Sequence, residues 1–214
     1  AVKGVYRVMK NLTIMLASQS VARKALLESL GYRVEIVPTY TDESHNFTDY
    51  SVATQQLALR KLTSFFSLSD RRDSIVVAAD TLVSIDSHVL GKPKSREDAY
   101  NQLNYLQGKS HIVTSGFALY LPYSSNQGKI YSGYDEVTVT FHPLDEKAIS
   151  AYLDTSEYIG AAGSYRIQEE GKTLVSSIYG DITTVVGLPI LKISAILERP
   201  ENFVSQEYPP KGEN

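Results

Sequence analysis

The run Ile75-Val-Val-Ala-Ala79 has no polar position, and Leu82-Val83 resumes the apolar pattern after Asp80 and Thr81. A strand of this kind buries both of its faces, which happens in sheets covered on both sides. The rest of the chain fits that demand by alternating short strand patterns with helical ones. Residues 12–17 read as a strand. Ser18 or Ser20 caps a helix in which Ala22, Ala25, Leu26 and Leu30 keep a 3.6-residue period until Gly31 stops it. Residues 34–37 form a second strand, and a polar loop fills 39–48. Val52, Ala53, Leu57, Ala58, Leu62, Phe65 and Phe66 mark a long amphipathic helix. After the strand at 75–85, Asp86-Ser87 reads as a hairpin turn. Ser95 caps a helix that Gly108 ends, two long strands follow at 111–121 and 129–141, and a helix spans 145–154. A Gly-rich passage at 160–171, a strand pair near 174–186 and a closing helix at 188–197 complete a mixed-sheet α/β pattern. No repeat of fixed period interrupts it.

At 214 residues the chain is one large domain or two small lobes sharing a core. It contains no cysteine, so disulfide scaffolds, thiol catalysis and Cys-ligated metal are excluded. That is compatible with a reducing cytosol, and a cytoplasmic protein is the expectation. A formal net charge of −3 argues against a protein that coats nucleic acid, and no apolar run approaches the roughly 18 residues of a membrane helix. A serine hydrolase lacks its Gly-x-Ser-x-Gly elbow. His45, His88, His111 and His142 show no metal-ligand spacing. Residues 1–11, basic and without acids, form an N-terminal extension; a transit leader is the other reading. Residues 200–214, polar and Pro-bearing, form a loose C-terminal tail.

Four placements of polar residues stand out. Asp80 interrupts a buried strand, where an unpaired carboxylate costs several kcal/mol. Either a cation (Lys, Arg or metal) faces it, or it is a turn residue where the strand meets the surface. Lys61 lies on the apolar stripe of its helix, between Leu57 and Phe65 at four-residue intervals; alone it reads as a snorkelling lysine. Gly91-Lys-Pro93 fixes Lys92 on a rigid turn after a strand, alone a solvated turn lysine. Ser18 and Arg23 sit where a strand opens into a helix, a place that suits a phosphate and is also a simple N-cap. Neither a Walker A loop nor a dinucleotide fingerprint is present. Taken together, the four describe a triphosphate-and-metal site.

These residues carry a resemblance to the Maf family of nucleotide pyrophosphatases, relatives of inosine triphosphatases. The motifs are Leu16-Ala-Ser-Gln-Ser-x-x-Arg23, Asp42-Glu43, Lys61, Ala79-Asp-Thr81, Gly91-Lys-Pro93, Leu106-x-Gly108-x-x-His111, Ala162-Gly163-x-Tyr165-x-Ile167-Gln168 and Gly180-Asp-x-x-x-Val-Val-Gly-Leu-Pro189. The resemblance covers residues 12–197 and implies a domain at 12–199. It implies a mixed twisted sheet with flanking helices in two lobes around a cleft. It also implies hydrolysis of a nucleoside triphosphate to the monophosphate and pyrophosphate with a divalent cation, Mg²⁺ or Mn²⁺. Ser18, Arg23, Lys61 and Lys92 would hold phosphates, Glu43 and Asp80 the cation, with Asp80 also the base for the attacking water. Gln168 would line the same cleft. Relatives are commonly dimers, so the resemblance allows a homodimer, and it implies no nucleic-acid or membrane partner.

Two departures bear on the site. The family's Ser-Pro-Arg-Arg is Ser20-Val-Ala-Arg23 here, with Ala22 in place of one arginine. The family's Tyr-Gly-Ile-Gln-Gly is Tyr165-Arg-Ile-Gln-Glu169, so Arg166 and Glu169 replace two glycines; Arg166 is a candidate to stand in for the lost arginine. Asp80-Thr81 with Ile167-Gln168 resembles the branch acting on dTTP, UTP and modified pyrimidine triphosphates. An amide at Gln168 can both donate and accept, which matches a uracil or thymine edge. The alternatives are a 7-methyl-GTP pyrophosphatase and a non-catalytic nucleotide-binding regulator of cell division.

Overall fold

A computed structural model of the chain describes residues 11–209. The expected N-terminal extension lies outside the described residues except for residue 11, and so do residues 210–214 of the expected tail. Eight strands form one sheet: β1 (Ile14–Leu16), β2 (Val34–Ile36), β3 (Ile75–Ile85), β4 (His88–Leu90), β5 (Ser110–Pro122), β6 (Gly128–Phe141), β7 (Val175–Tyr179) and β8 (Gln206–Tyr208). The order is β2-β1-β3-β5-β6-β7, with β4 paired to β3 and β8 to β6. β1 runs parallel to β2 and β3, while β4, β7 and β8 pair antiparallel, so the sheet is mixed as expected. Among the described residues six α-helices join the strands: α1 (Val21–Glu28), α2 (Tyr50–Leu68), α3 (Arg96–Leu106), α4 (Glu146–Leu153), α5 (Ile182–Val186) and α6 (Ile190–Glu198). Among the described residues no helix is long and apolar enough to cross a membrane.

The described residues divide into two compact units, the first comprising 11–80, 116–134 and 187–209 and the second 81–115 and 135–186. In the first, strand alternation sorts the core. Ile14, Leu16, Ile75, Val77 and Ala79 face one side, where Leu27 of α1 and Ile190, Ile193, Ile196 and Leu197 of α6 cover them. Met15, Ala17, Val76 and Ala78 face the other side, against Ala58, Leu62, Phe65 and Phe66 of α2. Burying each such large side chain contributes about 1.5–3 kcal/mol. Asp49 starts α2 by accepting from the N–H groups of Ser51 and Val52. Gly116 lets α2 lie directly on β5: a Cβ there would fall 2.5 Å from the Thr54 carbonyl carbon.

The second unit has its own core, built from Val83 and Ile85 of β3, Ala99, Leu103 and Leu106 of α3, Val137, Val139 and Phe141 of β6, Ile149 and Leu153 of α4, and Tyr165 and Ile167. Asp86 and Ser87, at φ of 49° and 63°, make the expected tight turn between β3 and β4.

The structure departs from the sequence reading in two places. The strand pair expected near 174–186 is only half strand: β7 ends at Tyr179, and Asp181 accepts from the N–H and hydroxyl of Thr183 to start α5. The loose tail is partly sheet, because β8 pairs with Gly128–Ile130 of β6 and Tyr208 stacks near Phe66 and Tyr120 at 5.0 and 6.1 Å. Three residues are too few for an alternation signal, so the sequence shows only their polarity.

His111 sits in the second core with its Nε2 2.7 Å from the Tyr165 hydroxyl and its Nδ1 buried without a partner among the described residues. Burial pushes its pKa down to about 4, against about 6.5 in an unfolded chain. Between those values the unfolded chain binds a proton that the folded chain refuses. Stability from this residue is therefore complete above about pH 6.5 and declines as pH falls toward 4, by about 3 kcal/mol in all. Urea unfolding across pH 4–7 is expected to show a steeper acid loss in the wild type than in His111→Gln; equal slopes would refute the assignment.

Candidate active site

Asp80 lies within β3, not at a surface end of it, and is 6% exposed. Alternation puts it on the face of Val76 and Ala78, the one that α2 covers. One position short of Leu62, Lys61 projects from α2, and its Nζ lies 3.0 Å from Asp80 Oδ1 and 3.3 Å from the Ala79 carbonyl oxygen. The same ammonium lies 3.0 Å from Glu43 Oε1, on the loop that precedes α2. The Lys61 side chain is only 13% exposed, so it is not snorkelling to water; it bridges one buried and one half-exposed carboxylate. The cation that the sequence requires beside Asp80 is this lysine. The pair leaves one valence open: Asp80 Oδ2 is buried and has no partner among the described residues.

The β1–α1 turn supplies the second part. β1 pairs with β3 only as far as Leu16 opposite Val77, and the chain then leaves the sheet. Ser18 Oγ accepts from the Ser20 N–H at 3.1 Å, and Ser20, the N-cap of α1, accepts from the Arg23 N–H at 3.1 Å. Two backbone N–H donors at the helix start are thus taken by serine hydroxyls, as in a simple N-cap. Arg23 donates from Nε to the Gly187 carbonyl at 2.8 Å and from Nη1 to Ser18 Oγ at 3.3 Å. Burial draws its guanidinium below the ordinary value, and the negative charge of Asp80 and of Glu43 works against that shift. Ser18, Arg23, Glu43, Lys61 and Asp80 therefore form one electrostatically connected group in the first unit.

Lys92 and Gln168 belong to the second unit. Lys92 is exposed on the turn after β4, and its ammonium pairs with nothing among the described residues. Gln168 is exposed on the loop between Tyr165 and Gly171. Arg166, the candidate to stand in for the arginine missing at Ala22, also lies in the second unit. Its guanidinium is committed to the carbonyls of Glu157 at 3.0 Å and Ile159 at 2.7 Å.

A family model for Maf-like proteins matches residues 13–200. The chain belongs to the Maf family. Among its relatives, the dTTP/UTP pyrophosphatase of Caldanaerobacter subterraneus subsp. tengcongensis is 39% identical over 187 residues, covering 87% of this chain and 88% of that one. The dTTP/UTP pyrophosphatases of Aquifex aeolicus and Bacillus pumilus are 35% and 38% identical, over 86% of this chain and 93% and 95% of theirs. A crystal structure of a nucleoside-triphosphatase / dITP/XTP pyrophosphatase from Mycobacterium abscessus aligns over 89% of this chain and 97% of that one, at 14% identity and a TM-score of 0.44.

Two further polar groups carry no signal that the sequence reading uses. Ser115 donates to the Thr184 carbonyl and shares a hydrogen bond with Thr81, the residue after Asp80, at 2.7 and 2.8 Å. Its signal is visible in retrospect as Thr114-Ser115 inside an apolar strand. Gln102 bonds two loops at once and has no sequence signal, since a helical glutamine is ordinarily solvated. A shallow polar groove beside Thr41, Asp42, Gln56, Arg60 and Ser64 contains none of the candidate residues and so does not mark the site.

Because Asp80 is buried beside one ammonium, Lys61→Met is expected to destabilise the fold by about 3–5 kcal/mol by stranding the carboxylate. Adding Asp80→Leu should restore much of that loss, since removing both charges is far less costly than removing one. Urea denaturation of the two variants checks the order; a double variant less stable than the single one would contradict it.

Proposed function

We propose that the chain hydrolyses nucleoside triphosphates to the monophosphate and pyrophosphate, with dTTP, UTP and modified pyrimidine triphosphates as substrates. The observation that carries this reading is Asp80 Oδ2, a buried carboxylate oxygen without a partner among the described residues, beside an ammonium, in a chain of the Maf family. The names of the relatives support the pyrimidine choice.

Asp80 Oδ2 has an open lone pair to take the proton of a water as the water oxygen bonds to phosphorus and the α–β anhydride P–O bond breaks. Lys61 and Arg23 offset the charge that accumulates on the phosphoryl oxygens and on the departing pyrophosphate. The Ser18 hydroxyl and the exposed ammonium of Lys92 add donors for the triphosphate, and Gln168 reads the base edge. Glu43 and Asp80 would hold a divalent cation, Mg²⁺ or Mn²⁺. Their chemistry fits that ion. Mg²⁺ takes one or two carboxylates and fills its shell with substrate phosphate and water, and among the described residues no cluster of three acidic, His or Cys side chains offers a fuller cage. When bound, the cation supplies Lewis acidity at the phosphoryl oxygens. The reading extends to residues 12–199 as the catalytic domain of a cytoplasmic homodimer, supported by the absence of cysteine and by the family resemblance.

Pyrophosphate release from a panel of canonical and modified triphosphates, with Mg²⁺ or Mn²⁺, tests the reading. dTTP and UTP are expected to exceed 7-methyl-GTP in kcat/KM, and the opposite order would refute the substrate assignment. Asp80→Asn is expected to keep the fold and lose about a hundredfold or more in kcat; near-normal turnover would remove Asp80 from the chemistry.

A further inference from the structure

The two candidate substrate contacts of the second unit sit on separate segments, the Lys92 turn and the Gln168 loop, and a single side chain holds both. Gln102 projects half-buried from α3. Its Nε2 donates to the carbonyl of Gly91, the residue before Lys92, at 3.1 Å. Its Oε1 accepts from the hydroxyl of Ser164, four residues before Gln168, at 2.5 Å. The Gly91 carbonyl also accepts from the Gly163 N–H at 3.3 Å, so the two segments meet at this junction. The Gln168 loop has little freedom there. Ser164 is fully buried with φ at 68°, and a Cβ on Gly163, at φ of 70°, would lie 3.0 Å from Val83 Cγ1.

Beyond Gln168 the loop is pinned a second time. The Arg166 side chain donates to the Glu157 and Ile159 carbonyls, and the Glu157 carboxylate accepts from the N–H groups of Glu170 and Gly171 at 2.9 and 3.1 Å. Gln168 is thus presented between two fixed points, whereas among the described residues the Lys92 turn is hydrogen-bonded to the loop through Gly91. An amide suits the junction because it alone carries a donor and an acceptor on one planar terminus. Leucine has neither, and glutamate has only acceptors.

We infer that Gln102 is a positioning residue that locks the Lys92 turn and the Gln168 loop in one register, so that triphosphate affinity and base discrimination both depend on it. The inference rests on the assignment of Lys92 to phosphate and Gln168 to the base.

Steady-state kinetics on UTP and 7-methyl-GTP, with melting temperatures, for the wild type, Gln102→Leu, Gln102→Glu and Ser164→Ala test it. Gln102→Leu is expected to raise the KM for UTP about fivefold to tenfold, the scale of a lost hydrogen bond. It should also shrink the ratio of kcat/KM between the two nucleotides, with kcat and melting temperature nearly unchanged, because α3 keeps its buried Ala99, Leu103 and Leu106. Gln102→Glu keeps the acceptor for Ser164 and loses the donor to Gly91, so it should raise KM for both nucleotides and leave their ratio intact. Ser164→Ala should alter the ratio with a smaller effect on KM. Unchanged KM and ratio in Gln102→Leu, or a loss confined to kcat and melting temperature, would overturn the inference while the wild type still releases pyrophosphate. A wild type that releases none from any triphosphate would overturn the functional reading, and this inference with it.

Discussion

The ion pair between Lys61 and Asp80 sets the terms for the first unit. A carboxylate within an apolar strand is tolerable only with a cation brought to it, and an ammonium on the apolar side of a helix only with an anion to meet it. Each charge is the reason the other is allowed. Their meeting requires α2 to lie tight against the sheet, which Gly116 permits by leaving room for the helix backbone. It also requires β1 to stop at Leu16, so that the chain turns away before reaching the level of Asp80. The same turn delivers Ser18 and Arg23, whose charge is felt at Asp80 and Glu43. A buried pair of this kind is weak as a source of stability, and its retention fits a site that needs a carboxylate held in a fixed place with one oxygen uncommitted.

Much of this was legible in the residues. Asp80 stood out because it broke an apolar run, and the demand for a cation followed from desolvation alone. Which cation was less plain, since Lys61 lies 19 positions earlier and is linked to Asp80 only by the packing of a helix over a strand. Helix caps at Ser20, Asp49, Ser95 and Asp145 are local and were readable in principle, and the structure has all four. The segment 182–186 reads as strand from its β-branched residues, yet the Asp181 side chain turns it into a helix. Local hydrogen bonding of that kind outweighs propensity and leaves no periodic trace in five residues.

The second unit was harder to read because its organisation is carried by side chains that bond to backbone carbonyls and amides. Arg166 and Glu157 lie nine positions apart, and each satisfies backbone groups on the other's segment. A charged residue in place of the glycine that the resemblance implies looks like a change to the rim of a site. In the fold it is part of the loop's scaffold, donating to the Glu157 and Ile159 carbonyls. Residue type alone did not distinguish these two uses of a guanidinium; its partners do.

The pairing of β8 with β6 has a practical side. Gly128–Ile130 would otherwise present a bare row of backbone donors and acceptors to any extended chain that came near. Tyr208 also shields Phe66 and Tyr120, and Arg72 stands over both the Phe66 and Tyr208 rings at 5.8 and 5.5 Å. Trimming the polar segment after residue 199 as dispensable would therefore unmask a sticky strand and an aromatic patch together. The cost would show first as self-association in the tube, well before any change in turnover.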